Sequence, residues 1–126
     1  MFVDASAMIA ILNAEDDAGS LAARLGQARE VQTSAVAVWE AVAGLARATN
    51  MALDDAMASV DGLLTEANAM VVPIDRATGQ EALRAFVRYG KGRHPAALNM
   101  GDCFAYACTR QLATTFAVQG ERLSAH

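Results

Sequence analysis

Three acids stand out in this chain because each opens or interrupts an otherwise apolar stretch: Asp4, Glu40 and Asp102. Carboxylates brought together repel one another and raise each other's pKa unless a cation sits among them. Three such groups with no lysine nearby suit a hard divalent ion, Mg2+ or Mn2+, both of which prefer oxygen donors. Mg2+ takes one or two carboxylates directly and keeps several waters, which further acids can hold. Such an ion lowers the pKa of a bound water and polarises a phosphoryl oxygen, so hydrolysis needs no covalent intermediate.

Each acid also has a plainer role. Asp4 is placed to cap the helix that follows it. Asp102 stands three residues after Asn99, a natural N-cap, in a first turn where the macrodipole favours an acid by about 0.3–1 kcal/mol. Glu40 is a good helix former for an exposed face, and Ser6 suits a local bond to the backbone. Pattern alone leaves open whether the three acids meet in space.

The elements that must position them alternate between strand and helix. Residues 2–3 form a minimal strand ending on Asp4. Residues 5–13 follow as a helix that Met8, Ile9, Ile11 and Leu12 make apolar on almost every side, as in an element buried mid-fold. A helix over 16–27 begins with acids and turns Leu21 and Leu25 inward. Residues 30–33 are a short extended piece around Val31. Ser34 then caps a helix over 35–50, whose stripe is Val38, Trp39, Val42, Leu45 and Ala46, with Glu40 at its edge.

A helix over 53–68 carries Met57, Val60, Leu63 and Leu64 inward, and residues 69–74 read as a strand with its Pro at the end. Asp75 caps a helix over 76–89 with Leu83, Phe86 and Val87 as core contacts. A Gly-rich, basic loop over 89–98 leads to a helix over 101–112. Residues 114–118 read as a last strand, and residues 119–126 show no periodicity. The alternation predicts an α/β fold, a parallel sheet of four or five short strands covered on both faces. The fourth or fifth strand turns on the short piece at 30–33. In such sheets ligands bind beyond the carboxyl ends of the strands, which is where Asp4 falls.

Composition narrows the class. The chain of 126 residues is 54% apolar and 19% charged, which fits one globular domain. A net charge of −4 argues against attachment to nucleic acid through overall positive charge. No apolar run approaches the roughly 20 residues of a membrane span. The start Met1-Phe2-Val3-Asp4 lacks the basic flank and apolar core of a signal peptide, so a cytoplasmic protein is expected. Cys103 and Cys108 sit five apart on different faces of one helix, a spacing that suits neither a metal clip nor a local disulfide. They read as small buried thiols of a reducing compartment.

Phe2-Val3-Asp4-Ala5-Ser6-Ala7, then Thr33-Ser34-Ala35-Val36-Ala37-Val38-Trp39-Glu40, then His94-Pro95-Ala96-Ala97-Leu98-Asn99-Met100-Gly101-Asp102-Cys103-Phe104-Ala105-Tyr106-Ala107 follow in this order. The succession resembles the PIN-domain ribonuclease toxins, VapC, of VapBC toxin–antitoxin modules. It runs over nearly the whole chain, and the last block carries most of the specificity. The resemblance implies a single PIN domain over residues 1–126, a three-layer α/β/α sandwich with a central parallel sheet. It implies a Mg2+-dependent endoribonuclease, with Mn2+ able to substitute, acting on structured RNA such as tRNA or rRNA. A VapB-type antitoxin, a homodimer and a larger toxin–antitoxin complex are the implied partners. Asp4 and Asp102 match the family's metal-binding aspartates and Glu40 its helix glutamate. Ser6 matches a hydroxyl near the site, and Asn99 belongs to the block around Asp102.

The tail departs from the family pattern of a Gly, a variable polar residue, then Asp and Phe. Here it reads Gly120-Glu121-Arg122-Leu123, with Arg122 where a fourth acid is expected. Glu121, one position earlier, is the candidate replacement; without it a second metal position is weakened. A catalytically impaired PIN-like module that binds RNA or its antitoxin without cleaving is therefore the competing expectation. A phosphoryl-accepting receiver domain fits less well, since Asp4 stands alone and Lys91 is the only lysine.

Arg84, Arg88, Lys91, Arg93 and His94 form a stretch with no acid among them, and Arg84 and Arg88 share a helix face. A local basic patch in an acidic protein suits an RNA-backbone cradle, a surface for an acidic partner or an ordinary solvated face. His94, before Pro95, reads as a loop residue and not as a catalytic base. The small and apolar residues from Met8 to Leu25 offer a groove for an antitoxin helix beside their ordinary core role.

Overall fold

In a computed structural model of the chain, residues 1–90, 92 and 94–113 are described with their side chains and residues 114–124 as helical backbone. The chain forms two compact units, Met1–Pro73 and Ile74–His126.

The first unit is built on three parallel chain segments. Gln32–Ser34 (β1) pairs with Met70–Val72 (β2), Gln32 opposite Met70 and Ser34 opposite Val72. On the other side of β1, Phe2 forms an isolated parallel bridge to Gln32. There the Val3 N–H donates to the Gln32 carbonyl at 2.8 Å and the Gln32 N–H donates to the Met1 carbonyl at 2.9 Å. The neighbouring Val31 carbonyl accepts from the Met70 N–H at 2.9 Å, pointing the opposite way. The short piece expected at 30–33 is therefore the middle of the arrangement, with buried Thr33 donating its hydroxyl to the Val3 carbonyl at 2.8 Å.

Four helices cover these segments: α1 (Ala5–Leu12), α2 (Ala18–Gln27), α3 (Ala35–Thr49) and α4 (Leu53–Glu66). α1 packs on the other three, and Met8, Leu25, Val31, Leu45 and Val60 form the core. α1 and α3 cross closely at Gly44, where an added Cβ would lie 2.5 Å from Ile9 Cδ1. Two expected core residues are corrected: Trp39 is 70% exposed and Met57 50%. The buried face of α3 is Ala37, Ala41, Val42 and Leu45. Trp39, two residues from both Ala37 and Ala41, turns away from it at about 100° per residue.

The second unit is a helix pair, α5 (Arg76–Tyr89) and α6 (Met100–Ser124). Asp75 and Thr78 form a capping box at the start of α5: the Thr78 N–H donates to Asp75 Oδ1 at 2.9 Å and the Asp75 N–H to Thr78 Oγ1 at 3.3 Å. The Thr78 hydroxyl also lies 2.6 Å from Gln111 Oε1, tying α5 to α6. Small residues, Ala82, Ala85, Cys103 and Ala107, make the core between them. Leu83 and Val87 are consequently both 64% exposed, and Phe86 is 37% exposed, against the expectation that all three face inward. The buried positions Thr78, Ala82 and Ala85 define a face that those three residues flank.

The sheet also differs from the four or five strands expected. Among the described residues it has two strands and one bridge, and residues 114–118 continue α6. Thr114, Thr115, Phe116 and Val118 have strand-like side chains, but each gives up only a few tenths of a kcal/mol in a helix. Extending a helix already nucleated needs no new nucleus, so the helix prevails. Among the described residues, no helix is long and apolar enough to cross a membrane.

Candidate active-site acids

Asp4 is fixed on every side. Val3 is bonded into the parallel arrangement through both its N–H and its carbonyl. Asp4 then begins α1 in extended backbone, its Oδ1 accepting the Ala7 N–H at 2.9 Å and its carbonyl the Met8 N–H at 3.2 Å. The capping role and the position past a paired segment thus coincide. Capping occupies one carboxylate oxygen and leaves the other without a partner among the described residues. Ser6 is exposed in the first turn of α1.

Ser34 gives α3 an equivalent start. It ends β1, is buried, and its Oγ accepts the Ala37 N–H at 3.1 Å. Because Phe2 and β1 run parallel, α1 and α3 both depart from the carboxyl ends of their segments. Glu40, half-buried, lies one helical turn before Gly44, the point where α3 meets Ile9 of α1.

Asp102 is built into a second capping box. Asn99 Oδ1 accepts the Asp102 N–H at 2.9 Å, and Asp102 Oδ2 accepts the Asn99 N–H at 3.1 Å. Asp102 is exposed, and again one carboxylate oxygen is spent on the fold. The loop before it is closed by a parallel bridge between Gly90 and Leu98. In that loop His94 Nδ1 accepts the Ala96 N–H at 3.0 Å and its ring meets Tyr89 edge-on at 5.2 Å, a structural role. Burial pushes the neighbouring Cys103 thiol up, and the Asp102 charge raises it further. Burial does the same at Cys108, and both cysteines are free, as their spacing led us to expect.

The acids are divided between the units, Asp4 and Glu40 in the first and Asp102 in the second. Within either unit, the described residues include no group of three His, Cys, Asp or Glu side chains able to hold an ion. The chemistry of the donors nevertheless suits Mg2+ or Mn2+. Asp4 and Asp102 offer hard carboxylate oxygens, and no lysine or arginine among the described residues pairs with either. Lys91, Arg93 and the Glu121 side chain, all singled out in the sequence, lie outside the described residues.

Arg84 and Arg88 do share a surface, a cleft of about 200 Å3 whose walls also include Glu81, Tyr89, Tyr106 and Arg110. Arg110 is an addition to the basic residues singled out in the sequence. The available signal was the Tyr106–Arg110 spacing of four on α6, matching that of Arg84 and Arg88 on α5.

Known proteins place this chain. The family model for the PIN domain matches residues 1–125. The chain is 39% identical to a VapC ribonuclease of Rhizobium meliloti, covering 98% of this chain and 95% of the relative. It is 38% identical to ribonuclease VapC28 of Mycobacterium tuberculosis over 85% of this chain and 79% of that protein. With a ribonuclease VapC of Mycolicibacterium smegmatis it shares 33% identity over 96% and 92% of the two chains. Matches of this extent, at both the domain and the full-chain level, show that the chain belongs to the VapC ribonucleases of the PIN-domain family.

Proposed function

We propose that this protein is the toxin of a type II toxin–antitoxin module, a Mg2+-dependent endoribonuclease that hydrolyses RNA phosphodiester bonds. Kinship with VapC ribonucleases supports the reaction class. The observation that carries the site is the setting of Asp4, capped through one oxygen at the end of a paired segment, with no cationic partner among the described residues.

Asp4 and Asp102 are the carboxylates that would hold the ion, and both units then act as one PIN domain over residues 1–126. Bound Mg2+, or Mn2+ in its place, supplies an activated water and neutralises charge at the scissile phosphate. Glu40 would help hold the ion or orient the attacking water. Asn99 holds Asp102 through the reciprocal cap, and Ser6 lends a hydroxyl beside Asp4. Glu121 is the candidate fourth acid. The substrate is a structured RNA such as tRNA or rRNA, and the reaction takes place in the cytoplasm.

A VapB-type antitoxin is the proposed partner, within a homodimeric toxin and a larger complex. A mainly apolar groove of about 280 Å3 between α1, α2 and α4, with Ile11, Leu25 and Leu63 in its walls, supports this. An amphipathic helix buries its apolar face in such a groove.

Arg122 in place of the family's tail acid favours one second reading, an impaired module that binds RNA or antitoxin without cleaving it. Incubation of total RNA with the protein in Mg2+, in Mn2+ and in chelator separates the two. Products that need the metal are expected; RNA binding with no metal-dependent product would overturn the nuclease reading in favour of the second.

A further inference from the structure

We propose that the cleft between α5 and α6 anchors one nucleotide unit of single-stranded RNA, its phosphate on the arginines and its base against a tyrosine ring. The inference rests on the RNA-directed reading above, and it adds a site whose walls include none of the three acids Asp4, Glu40 and Asp102.

The cleft contains Arg84 and Arg88 from α5 and Arg110 from α6, against the single acid Glu81. Three positive charges and one negative leave it at +2, in a chain whose net charge is −4. Glu81 lies 3.0 Å from the Arg110 guanidinium and 3.6 Å from that of Arg84, so one carboxylate braces two of the three arginines. Tyr106 adds a second brace, its hydroxyl accepting from Arg110 at 3.0 Å while the guanidinium carbon stands 5.6 Å from its ring centre. Side chains already held in place lose less freedom when a ligand arrives. Arg88 is exposed and has no ion-pair partner among the described residues, so its charge is available to a phosphate.

Two aromatic rings in the same walls decide the ligand class. Tyr89 and Tyr106 are each 37% exposed. Arginines beside accessible rings are the pattern of single-strand recognition, where the backbone meets cations and unstacked bases meet aromatic faces. An acidic peptide would use the arginines and gain nothing specific from the rings.

The test is anisotropy of a labelled single-stranded oligoribonucleotide with the full chain in chelator, over a series of salt concentrations. Arg88→Gln is expected to weaken binding about fivefold or more and to reduce the slope of log K against log salt by about 0.7. Tyr89→Leu is expected to weaken binding by about five- to a hundredfold, while Tyr89→Phe restores it. Wild-type affinity and slope in both Arg88→Gln and Tyr89→Leu would overturn the anchor. So would unchanged RNA affinity beside loss of binding to a glutamate-rich peptide, which would assign the cleft to an acidic partner. Metal-dependent RNA products alongside unaffected variants leave the nuclease reading standing without the anchor; weakened variants with no such products do the reverse.

Discussion

Asn99 and Asp102 cap each other: the Asn99 amide oxygen accepts the Asp102 N–H at 2.9 Å, and Asp102 Oδ2 accepts the Asn99 N–H at 3.1 Å. One carboxylate oxygen secures the start of α6, and the other takes no bond among the described residues. Asp4 does the same at α1, where Oδ1 takes the Ala7 N–H. An Asn side chain keeps an accepting oxygen but carries no charge, so Asp→Asn separates the cap from the charge at both places.

At Asp4 that separation is measurable as stability. Asp4→Ala removes the cap and is expected to cost about 0.5–2 kcal/mol in urea unfolding. Asp4→Asn is expected to unfold close to the wild type. Equal losses in the two variants would show that charge, and not the capping bond, holds the start of α1.

Ser34 offers a second test of the same edge. Its buried Oγ accepts the Ala37 N–H, so Ser34→Ala leaves an unpaired donor inside the core. A loss of about 1–2 kcal/mol in chemical denaturation is expected. A neutral substitution would mean that α3 starts without this bond.

Asp75 makes the stability pH-dependent. Bonds from the Thr78 N–H and hydroxyl hold its carboxyl below the usual value of 3.8. A group depressed on folding stabilises the folded state above its unfolded pKa, and that contribution disappears as pH falls through the folded value. The wild type should therefore lose more stability than Asp75→Asn as pH is lowered past about 3.8. Parallel acid profiles for the two proteins would count against the capping box as the source.

How much of this was legible in the sequence depends on how local each cause is. Ser34, Asp75 and Asn99 were readable as caps because a cap involves residues three apart, and all three do cap helices. Asp4 was readable as a cap for the same reason, while the strand expected before it is a single bridge at Phe2. The inward faces were not. Trp39, Leu83 and Val87 lie on the solvent side because small residues, Ala37, Ala41, Ala82 and Ala85, let the backbones approach on the other side. A periodicity weighted by side-chain size points the wrong way when alanines make the contact. The strand expected at 114–118 failed on context: propensity within five residues cannot see the helix that runs into them. The pairing of Arg110 with Glu81 was invisible because the two are remote in sequence and meet only when α5 and α6 pack.

Gly90 closes α5 and opens the loop toward Asn99. A Cβ there would run into the Phe86 carbonyl oxygen and lie 2.7 Å from the Phe86 ring, so backbone has to move. Gly90→Ala is expected to destabilise the protein by about 1–3 kcal/mol, against the gain of a few tenths or more that Gly→Ala gives at an unstrained site. A more stable variant in urea unfolding would refute this close approach.

The central claim is that Asp4 and Asp102 serve one metal-dependent reaction. The direct measurement is cleavage of total RNA in Mg2+ by the wild type, Asp4→Asn and Asp102→Asn, each checked for unchanged unfolding. Both variants are expected to lose roughly a hundredfold or more in cleavage rate, the scale at which removing a transition-state charge contact is felt. Wild-type cleavage by either folded variant would contradict the account.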